Sequence, residues 1–276
     1  MQMLAARFGR NFSVTRSNQP LDNAELMRVA PSIFAEQKHE SRSTRYTYIP
    51  TIQILEGLRK EGFQPFYAAQ SRVRDEGNKE HTKHMLRLRH ASLIEAPEAN
   101  EIILLNSHNG TSSYQMLSGI FRMACANGMV CGETFNDIRV PHKGDILSRV
   151  IEGAYSVLDN FDQVNDQMGG MKALSLNEGE QQAFARAALT LKYDDLDRPA
   201  PITENDVLRV QRPDDASNDL WTTFNRVQEN MIRGGLHGRT ASGKRVTTRA
   251  VTGIDQSVKI NRALWTLAEE MKKLKA

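Results

Sequence analysis

Only two cysteines, Cys125 and Cys131, occur in 276 residues. That is too few for a disulfide framework, and a reducing compartment is the natural setting. No stretch approaches the roughly 18–20 consecutive apolar residues of a membrane span. The opening residues Met1 to Arg10 are only briefly apolar and already carry Arg7 and Arg10, so no signal peptide is read there. These absences predict a soluble, cytoplasmic protein with no membrane partner. Internal repeats and long low-complexity segments are lacking too, and so are the common signatures of cofactor chemistry. There is no GxGxxG. The Gly243-Lys244 pair fails as a phosphate loop, because Arg245 stands where Ser or Thr is required and no apolar strand leads in. Zinc sites use CxxC-type pairs and four ligands, whereas Cys125 and Cys131 are six apart with only His142 as a further candidate. Nothing orients His108 as a base for a cysteine nucleophile, and no spacing of Asp and Glu matches a metal nuclease. Neither a metal nor a cofactor is expected, and the residues favour a non-enzymatic protein.

What is present is an ordinary globular composition, 39% hydrophobic and 25% charged with a net charge of +3. Residues 1–20 are polar and predict a flexible arm. Residues 21–276 read as a single domain. Leu21 to Ala30 predicts a short helix, Arg45 to Pro50 a short strand, and Thr51 to Gly62 a helix closed by its glycine. Phe63 to Arg74 and Thr82 to Leu93 alternate in polarity around Asp75-Glu76-Gly77-Asn78, the pattern of a β-hairpin. Glu101 to Ser107 and Thr111 to Leu117 predict two further strands about the Asn109-Gly110 turn. Beyond them the period changes. Asp145 to Met168 predicts one long amphipathic helix, and further helices are read at 177–191, 220–231 and 260–274. Strands precede helices instead of alternating with them. The fold class is therefore α+β, an antiparallel sheet from the N-terminal half packed by helices of the C-terminal half. Tyr193 to Asp219 holds eight acids, three arginines and three prolines and reads as an exposed acidic connector.

The positive charge is clustered. Arg59 to His90 contains eight Lys/Arg against four acids. Arg72, Arg74, Arg87 and Arg89 alternate along the predicted hairpin, which puts several on one sheet face, with Tyr67 nearby for a base to stack on. The second cluster, RGGLHGRTASGKRVTTR, spans residues 233 to 249 and contains no acid. Its cations are Arg233, Arg239, Lys244, Arg245 and Arg249, and its glycines expose backbone N–H groups. Lying between two helices, it predicts a projecting loop or β-turn able to hold phosphates.

A third segment, Asn106 to Gly132, carries His108, Asn109, Arg122, Cys125 and Asn127, a motif whose role the residues do not define. With this segment the chain resembles the phage- and plasmid-borne family grouped as domain of unknown function 932. The resemblance is carried by His108-Asn109-Gly110, by Phe121-Arg122-Met123 through Cys125-Ala126-Asn127-Gly128, by Leu220-Trp221 through Gln228-Glu229-Asn230, and by Asn261-Arg262-Ala263-Leu264-Trp265. It extends from about Arg45 to Leu274. It implies a mobile-element setting, often near antirestriction genes, and transfers no catalytic residue.

Three functional expectations follow. The first is a mobile-element nucleic-acid-binding protein acting through the two basic clusters, with single-stranded DNA binding or annealing favoured. The second is an anti-defence protein whose acidic connector docks on a host restriction or immunity protein. The third is a metal-dependent nucleic-acid enzyme. Apolar sheet edges also make a homo-oligomer an expectation.

Overall fold

A computed structural model of the chain describes residues 12–35, 48, 50–71, 80–93, 96, 98–109, 112–123, 127–131, 138–140, 145–193 and 199–275. The order of elements starts with β1 (Phe12–Arg16), α1 (Asn23–Val29), a 3₁₀ turn (Pro31–Phe34), α2 (Thr51–Lys60), β2 (Phe63–Ser71), β3 (His84–His90) and β4 (Glu98–Asn106). It continues with β5 (Tyr114–Arg122), β6 (Asn127–Val130), β7 (Ile138–Val140), α3 (Ile146–Asp159), α4 (Phe161–Ala173) and α5 (Glu178–Lys192). The last elements are α6 (Glu204–Val207), a 3₁₀ turn (Pro213–Asp215), α7 (Leu220–Arg233), β8 (His237–Arg239), β9 (Arg245–Thr247) and α8 (Ile254–Lys275). Strands thus concentrate in the N-terminal half and helices in the C-terminal half, and the fold is α+β. Among the described residues no helix is long and apolar enough to cross a membrane.

The chain divides into two compact units. The first comprises Met1–Met129, Thr134–Phe161 and Thr252–Ile254, and the second Val130–Glu133, Asp162–Val251 and Asp255–Ala276. The large sheet runs β1-β2-β3-β4-β5-β6, with β7 also pairing β5, and the registered pairs are antiparallel. Alternation sets its faces. Leu86 and Leu88 of β3 lie opposite Leu104 and Ile102 of β4. With Ala68 and Met116 they form a fully buried layer beneath Leu26 of α1, Ile54, Leu55 and Leu58 of α2, and Val150, Ala154 and Val157 of α3. The cover therefore comes from α1 and α2 as well as from α3, and not from C-terminal helices alone. Two further differences from the sequence reading have local causes. Phe12–Arg16 is a strand registered on β2 from Ser71 back to Tyr67; its polar residues are held by backbone pairing, which composition does not report. The helix expected over Asp145 to Met168 is two helices, because the Asn160 N–H turns back to Val157 O at 3.2 Å. The apolar spacing Val157, Phe161, Val164 runs on across that break, so periodicity cannot see it. The strand expected over Arg45 to Pro50 falls largely outside the described residues.

In the second unit, α7 is buried along its whole length from Leu220 to Met231. Its Asp219 cap accepts from Thr222 N at 2.8 Å, and Gly234, at φ +65°, stops it. Such a conformation is open to glycine at little cost. Trp221 and Phe224 stack on each other and meet Trp265 of α8 edge-on.

Candidate functional site

The acid-free segment folds as a hairpin. β8 and β9 pair as His237↔Thr247, Gly238↔Val246 and Arg239↔Arg245. Strand alternation therefore sends His237, Arg239, Arg245 and Thr247 to one face and Gly238 and Val246 to the other. Burial agrees: the first four are exposed, and Gly238 and Val246 are half-buried. The inner face is fixed by contact. Arg239 N–H donates to Pro201 O at 2.8 Å, and Gly238 lies so close to Pro201 that a Cβ there would overlap its carbonyl oxygen. The turn is closed by Thr240 N–H to Lys244 O at 2.9 Å and Gly243 N–H to Thr240 O at 2.8 Å, with Gly243 at φ +79°. At its base, Gly235 N–H and Thr248 N–H donate to Thr248 O and Leu236 O at 2.9 and 2.8 Å. The expected loop is thus a braced ribbon.

Its charge is unopposed. Among the described residues, Arg239, Lys244, Arg245 and Arg249 are exposed and none pairs with a carboxylate. The Arg239 guanidinium donates only to Gly243 O within the turn, at 3.2 Å. Arg239 and Arg245 stand directly opposite each other, an arrangement that like charges make unfavourable in an antiparallel pair. Arg233 is different: it pairs with Glu229 at 2.6 Å, and Glu229 is also held by Arg212. An open concavity of about 510 Å³ is lined by His237, Gly238, Arg239, Arg245, Val246 and Thr247. Beneath the ribbon base, the Lys192 ammonium donates to Met231 O at 2.6 Å, and burial brings its pKa down to about 8.

The basic face expected on the β2–β3 hairpin does not exist in the form alternation suggests. Arg87 and Arg89 do share a face, but both are buried against Glu101 of β4. Arg87 Nε donates to Glu101 at 2.5 Å and Arg89 Nε at 2.8 Å. Arg87 also donates to Met129 O at 2.6 Å, and it occupies space that Gly119 and Gly128 leave open for lack of a Cβ. The Arg89 guanidinium lies 3.4 Å from the centre of the Phe121 ring. Burial lowers its pKa, and Glu101 opposes that shift. These two charges neutralise a carboxylate inside the protein and offer nothing to a surface phosphate. Tyr67, half-buried, faces Arg16 at 5.5 Å, and burial raises its pKa. Arg72 and Arg74 lie outside the described residues.

The motif of undefined role is dispersed. His108 is fully buried, and its N–H and that of Asn109 both donate to His81 O at 3.1 Å. Arg122 is buried at the end of β5, in register with Glu98. Asn127 begins β6, and Cys125 lies outside the described residues. A polar network around His108 has no signature in the sequence. Ser32 Oγ donates to Gln70 at 2.8 Å and meets His84 Nδ1 at 2.8 Å. His84 Nε2 meets Thr51 Oγ1 at 2.9 Å, and Asn106 donates to that same hydroxyl at 3.0 Å. Because Ser32 spends its proton on Gln70, His84 donates from Nδ1 and accepts at Nε2, which is the neutral ring. Burial brings the His84 pKa down to about 4.

The acids of the connector are mostly engaged within the chain. Asp215 is buried and pairs with Arg212, Glu204 pairs with Arg186, and Asp206 and Asp219 cap helices. Asp194, Asp195 and Asp197 lie outside the described residues. Among the described residues, no three His, Cys, Asp or Glu side chains gather as a metal-binding group.

The family model described as "Domain of unknown function (DUF932)" matches residues 38–265. The chain is 58% identical over 271 residues to UPF0380 protein YafZ of Escherichia coli (strain K12), covering 98% of each chain. It is 57% identical over 271 residues to UPF0380 protein YfjQ of the same organism, again over 98% of each. No solved structure matches the chain.

Proposed function

The chain belongs to the DUF932 family, whose description names no activity, and from the geometry of the β8–β9 hairpin we propose that it is a non-enzymatic nucleic-acid-binding protein. One observation carries this reading: a ribbon braced on Pro201 presents Arg239, Lys244, Arg245 and Arg249 with no carboxylate against them among the described residues. Cations held apart from internal partners and fixed on a rigid support are suited to an external polyanion, because little conformational entropy remains to be lost on binding. The directly opposed Arg239 and Arg245 gain most, since a phosphate relieves their mutual repulsion. Phosphate contacts of this kind dominate affinity and make it steeply salt-dependent.

Fluorescence anisotropy of the whole protein with labelled DNA across a salt series tests the proposal. Binding is expected to weaken as salt rises. The variant R239A/K244A/R245A is expected to flatten the slope of log K against log salt by about 2 to 3, at roughly 0.9 per lost contact on duplex DNA. A variant that binds with the same affinity and slope as the parent would remove the hairpin from the function.

A further inference from the structure

Taking that reading of the hairpin as its basis, we infer that its ligand is duplex DNA, entered from the major groove, with Arg239 and Arg245 reaching base edges and Lys244 and Arg249 holding the flanking phosphates. Four observations converge on this form of nucleic acid.

The first is what the ribbon lacks. Residues 233–249 contain no Phe, Tyr or Trp. Proteins that track single strands combine positive charge with aromatic platforms on which unpaired bases stack, and those platforms carry much of the affinity. The outer face here offers His237, Arg239, Arg245 and Thr247, which can hydrogen-bond but supply no broad apolar ring.

The second is shape. The major groove of B-DNA is roughly 12 Å wide and 8.5 Å deep and admits a two-stranded β-ribbon. The β8–β9 ribbon is two strands wide and three residue pairs long, about 5 Å across its backbone and about 10 Å along its axis. It fits across the groove with the side chains of one face pointing at the floor. The major groove of duplex RNA is deep and narrow and shuts out such an element.

The third is the pairing of the arginines. Directly opposed residues of an antiparallel pair have Cβ atoms about 5 Å apart. Arg239 and Arg245 therefore project as two parallel forks. An arginine fork matches the O6 and N7 acceptors of guanine in the major groove. Lys244 sits in the turn and Arg249 beyond β9, which places them at the two ends of the ribbon, where the phosphate backbones border the groove.

The fourth is rigidity. The bonds from Arg239 to Pro201 and across Thr240–Lys244 and Gly235–Thr248 fix the ribbon before it meets DNA, as insertion into a groove of set width requires.

The experiment compares one sequence as duplex DNA, as single-stranded DNA and as duplex RNA, bound by the full-length protein in anisotropy at a single salt concentration. Duplex DNA is expected to bind at least tenfold tighter than either alternative. R239A/R245A is expected to abolish that preference. R239K/R245K keeps the charge and loses the fork, so it is expected to retain salt-sensitive binding while losing most of the preference. Thermal melts of both variants should superimpose on that of the parent, since both side chains are exposed. A major-groove competitor such as methyl green is expected to displace the protein, and the minor-groove ligand netropsin is not. Hairpin-dependent binding that is equal on single strands, or better there, overturns the inference and leaves nucleic-acid binding standing. Binding to none of the three probes overturns the underlying reading as well.

Discussion

Replacing Glu101 by Gln tests the buried charge triad of the first unit. Glu101 is 1% exposed, as is the Arg89 side chain, and the Arg87 side chain is 8% exposed. Each guanidinium donates to a different carboxylate oxygen, at 2.5 and 2.8 Å. A glutamine leaves one oxygen for two arginines and turns its amide N–H toward the other guanidinium, donor against donor. One arginine is then buried without its counter-charge. Breaking a buried ion pair in this way costs about 3–5 kcal/mol. At about 2–4 °C per kcal/mol for a unit of this size, the melting temperature should fall by about 6–20 °C. Urea denaturation followed by circular dichroism measures the same loss as a shift in midpoint at unchanged slope. Arg87→Met, Arg89→Leu and Glu101→Leu together should recover most of it, because removing all three charges leaves none uncompensated. A loss below about 1 kcal/mol for Glu101→Gln, the value of an exposed pair, would refute the argument and mean that water reaches the triad.

His84 supplies a pH test. Its native pKa of about 4 lies below the ordinary value of 6.5 because burial disfavours the charged ring. The unfolded state therefore binds the proton first as pH falls, and stability present above about pH 6.5 is lost on the way down to about pH 4, by about 3 kcal/mol at 1.36 kcal/mol per unit. His84→Gln should be less stable than the parent at neutral pH and converge on it as pH falls from 6.5 to 4; a constant gap in urea midpoints would contradict this. Gly238→Ala should disturb the ribbon, since its Cβ meets the Pro201 carbonyl oxygen. Overpacking of this kind costs about 1–3 kcal/mol, and hydrogen exchange at Arg239 N–H should accelerate; unchanged protection there would show that Pro201 does not brace the hairpin.

What the sequence determined by itself is whatever is local. The capping pairs Asp22/Glu25, Asn177/Glu180 and Thr203/Asp206 act over three residues and mark helix starts wherever the helix is later packed. The alternation of Leu86 and Leu88 with Arg87 and Arg89 assigns them to two faces of a strand, because the period of two is a property of the backbone. The lack of acids in 233–249 marks the segment as basic before any fold is known. Only the tertiary structure decided what those faces meet. Arg87 and Arg89 became interior charges because Glu101, 14 and 12 residues away, is brought across from the adjacent strand. The network joining Ser32, Gln70, His84, Thr51 and Asn106 draws on five separate segments, and no spacing encodes it. The hairpin acquired an inner and an outer face only when Gly238 settled on Pro201. Charge and periodicity are carried by each residue and its neighbours along the chain, whereas burial belongs to pairs of segments, and so does the difference between a neutralised arginine and one open to a ligand.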